Sequence, residues 1–219
     1  MIVGTNALYA YEAAGAVFFD NKSIATEDMD ILRDIRSKLK LGIQNKSNPK
    51  DFIDDLRKVD KTFELHHGQN FRVSNEKGYM VDLLKAMPSP ATKVERDRIG
   101  GPDDMRAAEV KNLSWLLSAP KFEQIAIGFD GIPVRMVAPD SRAYTLHKFW
   151  LSEQKDRDPR KKGRDREQAI AVAQLVMKHL PYLEFSKEDM QMFPAEVLMS
   201  FNSIIEAHDD EDDDFSLRF

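Results

Sequence analysis

Short apolar runs and alternating stretches fill the first two thirds of the chain, and longer helical patterns fill the last third. Ile2-Val3 predicts a strand, Gly4-Thr5 a turn, and the alanine-rich stretch from Asn6 to Ala14 a helix that Gly15 can end. Alternation from Ala25 to Leu32 predicts a second strand. Ser47-Asn48-Pro49 reads as a cap with proline in the first turn, so 50–59 should be helical, with Phe52, Ile53 and Leu56 on one face. Strands are expected over 62–65, 71–74 and 79–84, the last two joined by the turn Asn75-Glu76-Lys77-Gly78. From Pro88 to Pro102 the chain is rich in proline, glycine and charge and reads as a loop between halves. Phe122 to Ile127 and Pro133 to Val137 should pair as a hairpin around Gly128-Phe129-Asp130-Gly131. Helices are expected over 139–152, 164–179 and 187–207, the last broken near Pro194, and no internal repeat is evident. The fold class is therefore α/β (α+β), a mixed-sheet domain followed by a mainly helical C-terminal region. Its expected parts are a core at 1–87, a linker loop and hairpin at 88–137, a helical domain at 138–208 and an acidic tail at 209–219.

Three acids sit inside the strand patterns, where unpaired charge is costly: Asp28 and Asp30 in Glu27-Asp28-Met29-Asp30-Ile31-Leu32, and Asp82 in Met80-Val81-Asp82-Leu83-Leu84. Side chains alternate along a strand, so Asp28 and Asp30 share a face and Met29 and Ile31 take the other. Two like charges so close favour a bound cation. If the strand of Asp82 runs beside theirs, the three carboxylates converge on one patch suited to Mg²⁺ or Mn²⁺ and a nucleoside triphosphate. The plainer reading of a D-x-D on a strand is a pair of solvated charges. Gly4 lets backbone approach a ligand, and Thr5 and Asn6 offer a hydroxyl and N–H groups at a helix start, where phosphate is favoured.

At these residues the chain resembles the nucleotidyltransferase superfamily of DNA polymerase β type, with a glycine turn, an acid-x-acid strand and a third strand acid. Here those elements are Val3-Gly4-Thr5, Asp28-Met29-Asp30-Ile31 and Val81-Asp82-Leu83. Gly4 to Glu12, Ala25 to Asp30 and Leu146-His147-Lys148 look like a bacterial family of largely uncharacterised proteins of this fold, and are similar, more distantly, to toxin-type nucleotidyltransferases of abortive-infection systems. The resemblance covers roughly residues 1 to 180. Thr5 replaces the usual second glycine or serine but keeps a hydroxyl. The long spacing from Gly4 to Asp28 implies an inserted turn or hairpin around Phe18, Phe19, Asp20, Asn21 and Lys22.

The resemblance implies metal-dependent transfer of a nucleoside monophosphate from an NTP to an acceptor hydroxyl. Asp28 and Asp30 would hold the ion that bridges the triphosphate, and Asp82 would join them around a second ion and serve as general base. Gly4, Thr5 and Asn6 would position the β and γ phosphates. It also implies a cleft between the two halves, with Lys148 neutralising the leaving pyrophosphate and Asp165 orienting that lysine. Without the resemblance, Lys148 is an exposed helix lysine and Asp165 an acid favoured near a helix N-terminus. The acceptor stays open among tRNA or other RNA, a protein side chain and a small molecule. An alternative is a catalytically inactive binding or regulatory protein of the same fold, with a protein partner in a toxin–antitoxin or defence system.

Composition bounds these readings. The 219 residues are 42% apolar and 32% charged with no cysteine, which points to a cytoplasmic protein without disulfides or thiolate metal sites. No apolar run is long enough to span a bilayer, and Ile2-Val3 lacks the basic flank of a signal peptide, so no membrane association is expected. The strand starting at Ile2 suggests a segment missing upstream. The net charge of −5 argues against broad nucleic-acid binding. It hides a basic run over 155–166, a solvated loop or a guide for RNA, and an acidic run over 209–214 expected to be disordered. His66 and His67 would face opposite ways on a strand and find no third metal ligand. His147 reads as packing or surface, Trp115 and Trp150 as core, and 215–219 as a short docking element.

Overall fold

A computed structural model describes residues 1–20, 24–34, 51–88 and 98–209. The expected cap at Ser47-Asn48-Pro49, most of the expected loop over 88–102 and the tail beyond 209 lie outside them. In chain order the elements are β1 (Ile2–Val3), a 3₁₀ turn (Thr5–Ala7), α1 (Leu8–Gly15), β2 (Asp28–Arg33), α2 (Phe52–Val59), β3 (Glu64–His66), β4 (Gln69–Ser74) and β5 (Met80–Ala86). There follow β6 (Ala108–Val110), α3 (Leu113–Ser118), β7 (Lys121–Ile127), β8 (Pro133–Pro139), α4 (Ser141–Glu153), α5 (Pro159–His179) and α6 (Ala195–Asp209). This is the mixed α/β architecture expected from the sequence. Among the described residues no helix is long and apolar enough to cross a membrane.

The chain divides into two compact units, one of 1–4 with 26–114, the other of 5–25 with 115–219. The sequence boundary at residue 87 falls inside the first unit, and the hairpin over 121–139 falls with the helices.

In the first unit the sheet runs β1-β2-β5-β4-β3. β2 and β5 are parallel, from Asp28 opposite Met80 to Arg33 opposite Lys85. β4 pairs antiparallel with one half of β5, and the short β6 pairs parallel with its end, from Leu84 opposite Ala108. β4 and β5 close through a tight turn in which Gly78 has φ +82° and Asn75 Oδ1 accepts from the N–H groups of Lys77 and Tyr79. Val73, Val81 and Leu83 point into a core with Ile53, Phe63, Met105 and Ala107, while Met29, Ile31, Phe52 and Leu56 pack against it. Each large side chain so buried contributes about 1.5–3 kcal/mol. That core fixes the register of β2 and β5, because a slip of one residue would turn their acids into it.

In the second unit Tyr11 of α1 is fully buried, donates its hydroxyl to Pro139 O at 2.9 Å, and meets the rings of Phe122 and Tyr144 edge-on at 5.4 and 5.3 Å. α1 ends at Gly15, as expected, although the glycine is not the residue in the left-handed cap. Gly15 lies in the last turn, where an added Cβ would sit 3.2 Å from Leu175 of α5, and Ala16 takes the left-handed C-cap with φ 52°. α5 begins at Pro159, five residues before the expected start, because Asp158 accepts from the Arg160 N–H and Pro159 occupies the first turn. α6 begins only at Ala195, since 187–193 form turns ahead of Pro194. β6 and α3 were not expected from the sequence. Both are too short for a periodic pattern to mark them.

Candidate functional site

The sheet register assembles the acids. On β2, Asp28 and Asp30 project from one face, and across the parallel pairing Asp30 stands directly opposite Asp82. Opposed residues of neighbouring strands point the same way, so all three carboxylates share a face, away from the apolar core. The row continues to both sides, with Val3 of β1 opposite Asp30 and Arg72 of β4 opposite Asp82. Asp28 and Asp30 are half-buried and Asp82 is buried. The Thr26 hydroxyl donates to Asp28 Oδ1.

Gly4 sits against Asp30. Its φ is +64°, a region side chains rarely adopt, and an added Cβ would overlap Asp30 Oδ2 and lie 3.1 Å from Cγ. Glycine is thus required here both by backbone conformation and by the space the carboxylate occupies. Gly4→Ala is expected to cost about 1–2 kcal/mol of unfolding free energy through the left-handed backbone alone, and to turn the Asp30 carboxylate out of place. Urea denaturation checks the first effect, and equal midpoints for variant and wild type would show that the backbone is not strained.

Arg72 is the residue that sequence reasoning missed. Its Nε donates to Asp82 Oδ1 at 2.7 Å and Nη2 to Oδ2 at 2.6 Å, a two-pronged ion pair. That hydrogen bonding, with the charges of Asp82, Asp28 and Asp30, holds the guanidinium pKa above its already high ordinary value. The signal in the sequence was a lone cation in Phe71-Arg72-Val73-Ser74, out of phase with the core residue Val73. Because Asp82 is turned to Arg72, the three acids do not close around an ion as they stand: among the described residues no three acid or imidazole groups converge that closely.

The remaining expected site residues belong to the second unit. The Thr5 hydroxyl is buried and accepts from Gln168 Nε2 at 3.2 Å, while Gln168 Oε1 accepts from the Tyr144 hydroxyl at 3.2 Å. Asn6 is buried beside it on the same 3₁₀ turn. Lys148 and Asp165 do meet: Nζ donates to Asp165 Oδ1 at 2.6 Å, with the two side chains only 8% and 2% exposed. Lys148 is therefore not an exposed helix lysine. Burial lowers its pKa and Asp165 opposes that. Arg157 donates from Nε to the other Asp165 oxygen at 2.8 Å, so one carboxylate serves two cations.

Only residues 155–158 of the basic run lie in the connection between helices. Residues 159–166 form the first turns of α5, and several of the charges are paired within the unit: Arg157 with Asp165, Arg160 with Asp158, Arg166 with Glu153. Such neutralisation reduces the positive field available to an RNA. His66 and His67 are exposed where β3 turns into β4. Trp115 and Trp150 are half-buried rather than core, and meet edge-on at 5.2 Å.

His147 lies beside both tryptophan rings, buried, with Nε2 lacking a hydrogen-bond partner among the described residues. Burial, with the Lys148 charge, lowers its pKa from 6.5 to about 3. The unfolded chain then takes up a proton below about pH 6.5 that the folded chain refuses until about pH 3, so stability falls as pH drops through that window and is unaffected above it. Between pH 7.5 and pH 5 the contribution lost is about 2 kcal/mol. His147→Phe should lose less stability over that interval than wild type. Equal losses, read from urea midpoints, would show that His147 does not titrate this way.

A family model described as Nucleotidyltransferase matches residues 1–193. No curated protein matches the chain, and no solved structure does. The family match takes in every strand of both units and runs past the end of α5, so the chain belongs to the nucleotidyltransferase family.

Proposed function

We propose that this chain transfers a nucleoside monophosphate from an NTP to an acceptor hydroxyl, with Mg²⁺ or Mn²⁺ required. The observation that carries the reading is the direct opposition of Asp30 and Asp82 on parallel neighbouring strands, with Asp28 two residues away on the same face. The chemistry of the donor set fits such an ion: Asp28 and Asp30 supply hard carboxylate oxygens from one strand face. Asp28 and Asp30 would hold it, joined by Asp82. When bound, it would neutralise phosphate charge and acidify the acceptor hydroxyl.

In the reaction the acceptor oxygen forms a bond to the α-phosphorus, the bond from that phosphorus to the pyrophosphate oxygen breaks, and Asp82 receives the hydroxyl proton. Gly4, Thr5 and Asn6 would bind the β and γ phosphates through backbone N–H groups and the Thr5 hydroxyl. Lys148, oriented by Asp165, would offset the charge of the departing pyrophosphate. The acceptor class is RNA, including tRNA, a protein side chain or a small molecule.

One observation favours the second reading, a fold retained for binding or regulation: Arg72 engages both oxygens of Asp82. The two separate in one assay. The purified chain is incubated with each labelled NTP and Mg²⁺ or Mn²⁺, alone, with total tRNA and with cell protein. Transfer of label supports the enzyme. Absence of both metal-dependent nucleotide binding and transfer would sink it.

A further inference from the structure

We propose that Arg72 is the internal counterion of the acid row, and that a divalent ion arriving with the nucleotide takes its place on Asp82. Arg72 is then a positioning residue that sets how much metal the site demands. The inference rests on the reading above, in which Asp28, Asp30 and Asp82 hold the ion.

The geometry is specific. A guanidinium offers two parallel N–H groups that match the two oxygens of one carboxylate, and Nε and Nη2 of Arg72 use both oxygens of Asp82, at 2.7 and 2.6 Å. The oxygens that an ion would need are the ones already engaged. Arg72 and Asp82 oppose one another in the strand register, so the backbone holds the pair together without help from loops. The exchange has a route: the Arg72 side chain is 25% exposed against 8% for Asp82, which leaves the cation, not the acid, free to swing toward solvent. Charge supports it as well. Arg72 opposes Asp82 beside Asp30 and Asp28, so its removal leaves the row more negative by one charge. Removing Arg72 therefore both frees the oxygens of Asp82 and takes away a repelling positive charge.

The direction of the effect is opposite to that of an ordinary supporting residue. Arg72→Gln is expected to bind Mn²⁺ in the absence of nucleotide about tenfold more tightly than wild type, measured by the loss of the free-Mn²⁺ electron paramagnetic resonance signal. Arg72→Lys keeps the charge but cannot span both oxygens, and its affinity should fall between the two. Circular dichroism reports whether each variant is folded. A folded Arg72→Gln with Mn²⁺ affinity equal to or weaker than wild type would overturn the inference and leave Arg72 as a fixed brace of the sheet. If that variant does not fold, Arg72→Lys decides by the same criterion.

The wild-type chain supplies a reading that needs no folded variant. The Arg72 Nε–H resonance, protected by Asp82, should shift or vanish on saturation with Mg²⁺ and ATP, and its persistence while Mg²⁺ binds would also overturn the exchange. Asp30→Ala distinguishes the two levels of inference. If Asp30→Ala retains Mn²⁺ binding, the metal site itself is wrong. If it loses Mn²⁺ while Arg72→Gln behaves as wild type, only the role of Arg72 is wrong.

Discussion

Asp30→Ala is expected to lower metal-dependent nucleotide transfer by at least about 10³-fold while leaving the fold intact. Asp30 is the centre of the acid row: it shares a strand face with Asp28, opposes Asp82 across the parallel pairing, and faces the side-chain-free Gly4. Removing Asp30 takes one of three like charges from a single patch, so the thermal midpoint should stay level or rise. Transfer and melting measured on the same preparation check both halves. Transfer near the wild-type rate by a folded Asp30→Ala would mean that the acids are sheet furniture, and the catalytic reading would fall with it.

The second large effect is one of stability. Asp165→Ala should cost about 3–5 kcal/mol, because it leaves an ammonium buried without its anion. Lys148 has 8% of its side chain exposed, and the same carboxylate also receives Arg157. Native domains are stable by only about 5–15 kcal/mol, so that loss takes the unit close to unfolding. Lys148→Met in the same background should recover part of the loss, since an apolar side chain of similar length needs no anion. Urea denaturation of the two single variants and the double variant reads the coupling. A loss under about 1 kcal/mol for Asp165→Ala alone would mean that water or another acid already serves Lys148. The experiment also bears on function, because a lysine held this firmly is pre-aimed, and its proposed role toward pyrophosphate depends on that.

The acid-x-acid strand and the third acid were legible because charged residues inside an apolar alternation break a pattern the core requires. Arg72 was not read, although it breaks the same pattern: a strand cation in a stretch with one core neighbour looks like solvated charge until the strand beside it is known. His147 looked like packing or surface for a related reason, since a single imidazole on a helix does not reveal the tryptophan rings it packs beside. The early start of α5 was written in Asp158-Pro159, and the charges after it drew the reading toward a loop. The pairing of Lys148 with Asp165 was anticipated only through the family resemblance, as residues 17 apart on successive helices have no local signature.

By itself the sequence determined which strands carry acids, that Asp28 and Asp30 share a face, that a glycine turn precedes the first helix, and that a helical region follows. These are local properties, set by side-chain alternation, backbone freedom and capping chemistry. Only the tertiary structure decided that Asp30 opposes Asp82, that Arg72 holds the third carboxylate, and that Lys148 and Asp165 are buried together. Each of those facts depends on which segments distant in the chain become neighbours, and burial of Val73, Val81 and Leu83 in one core chooses that pairing.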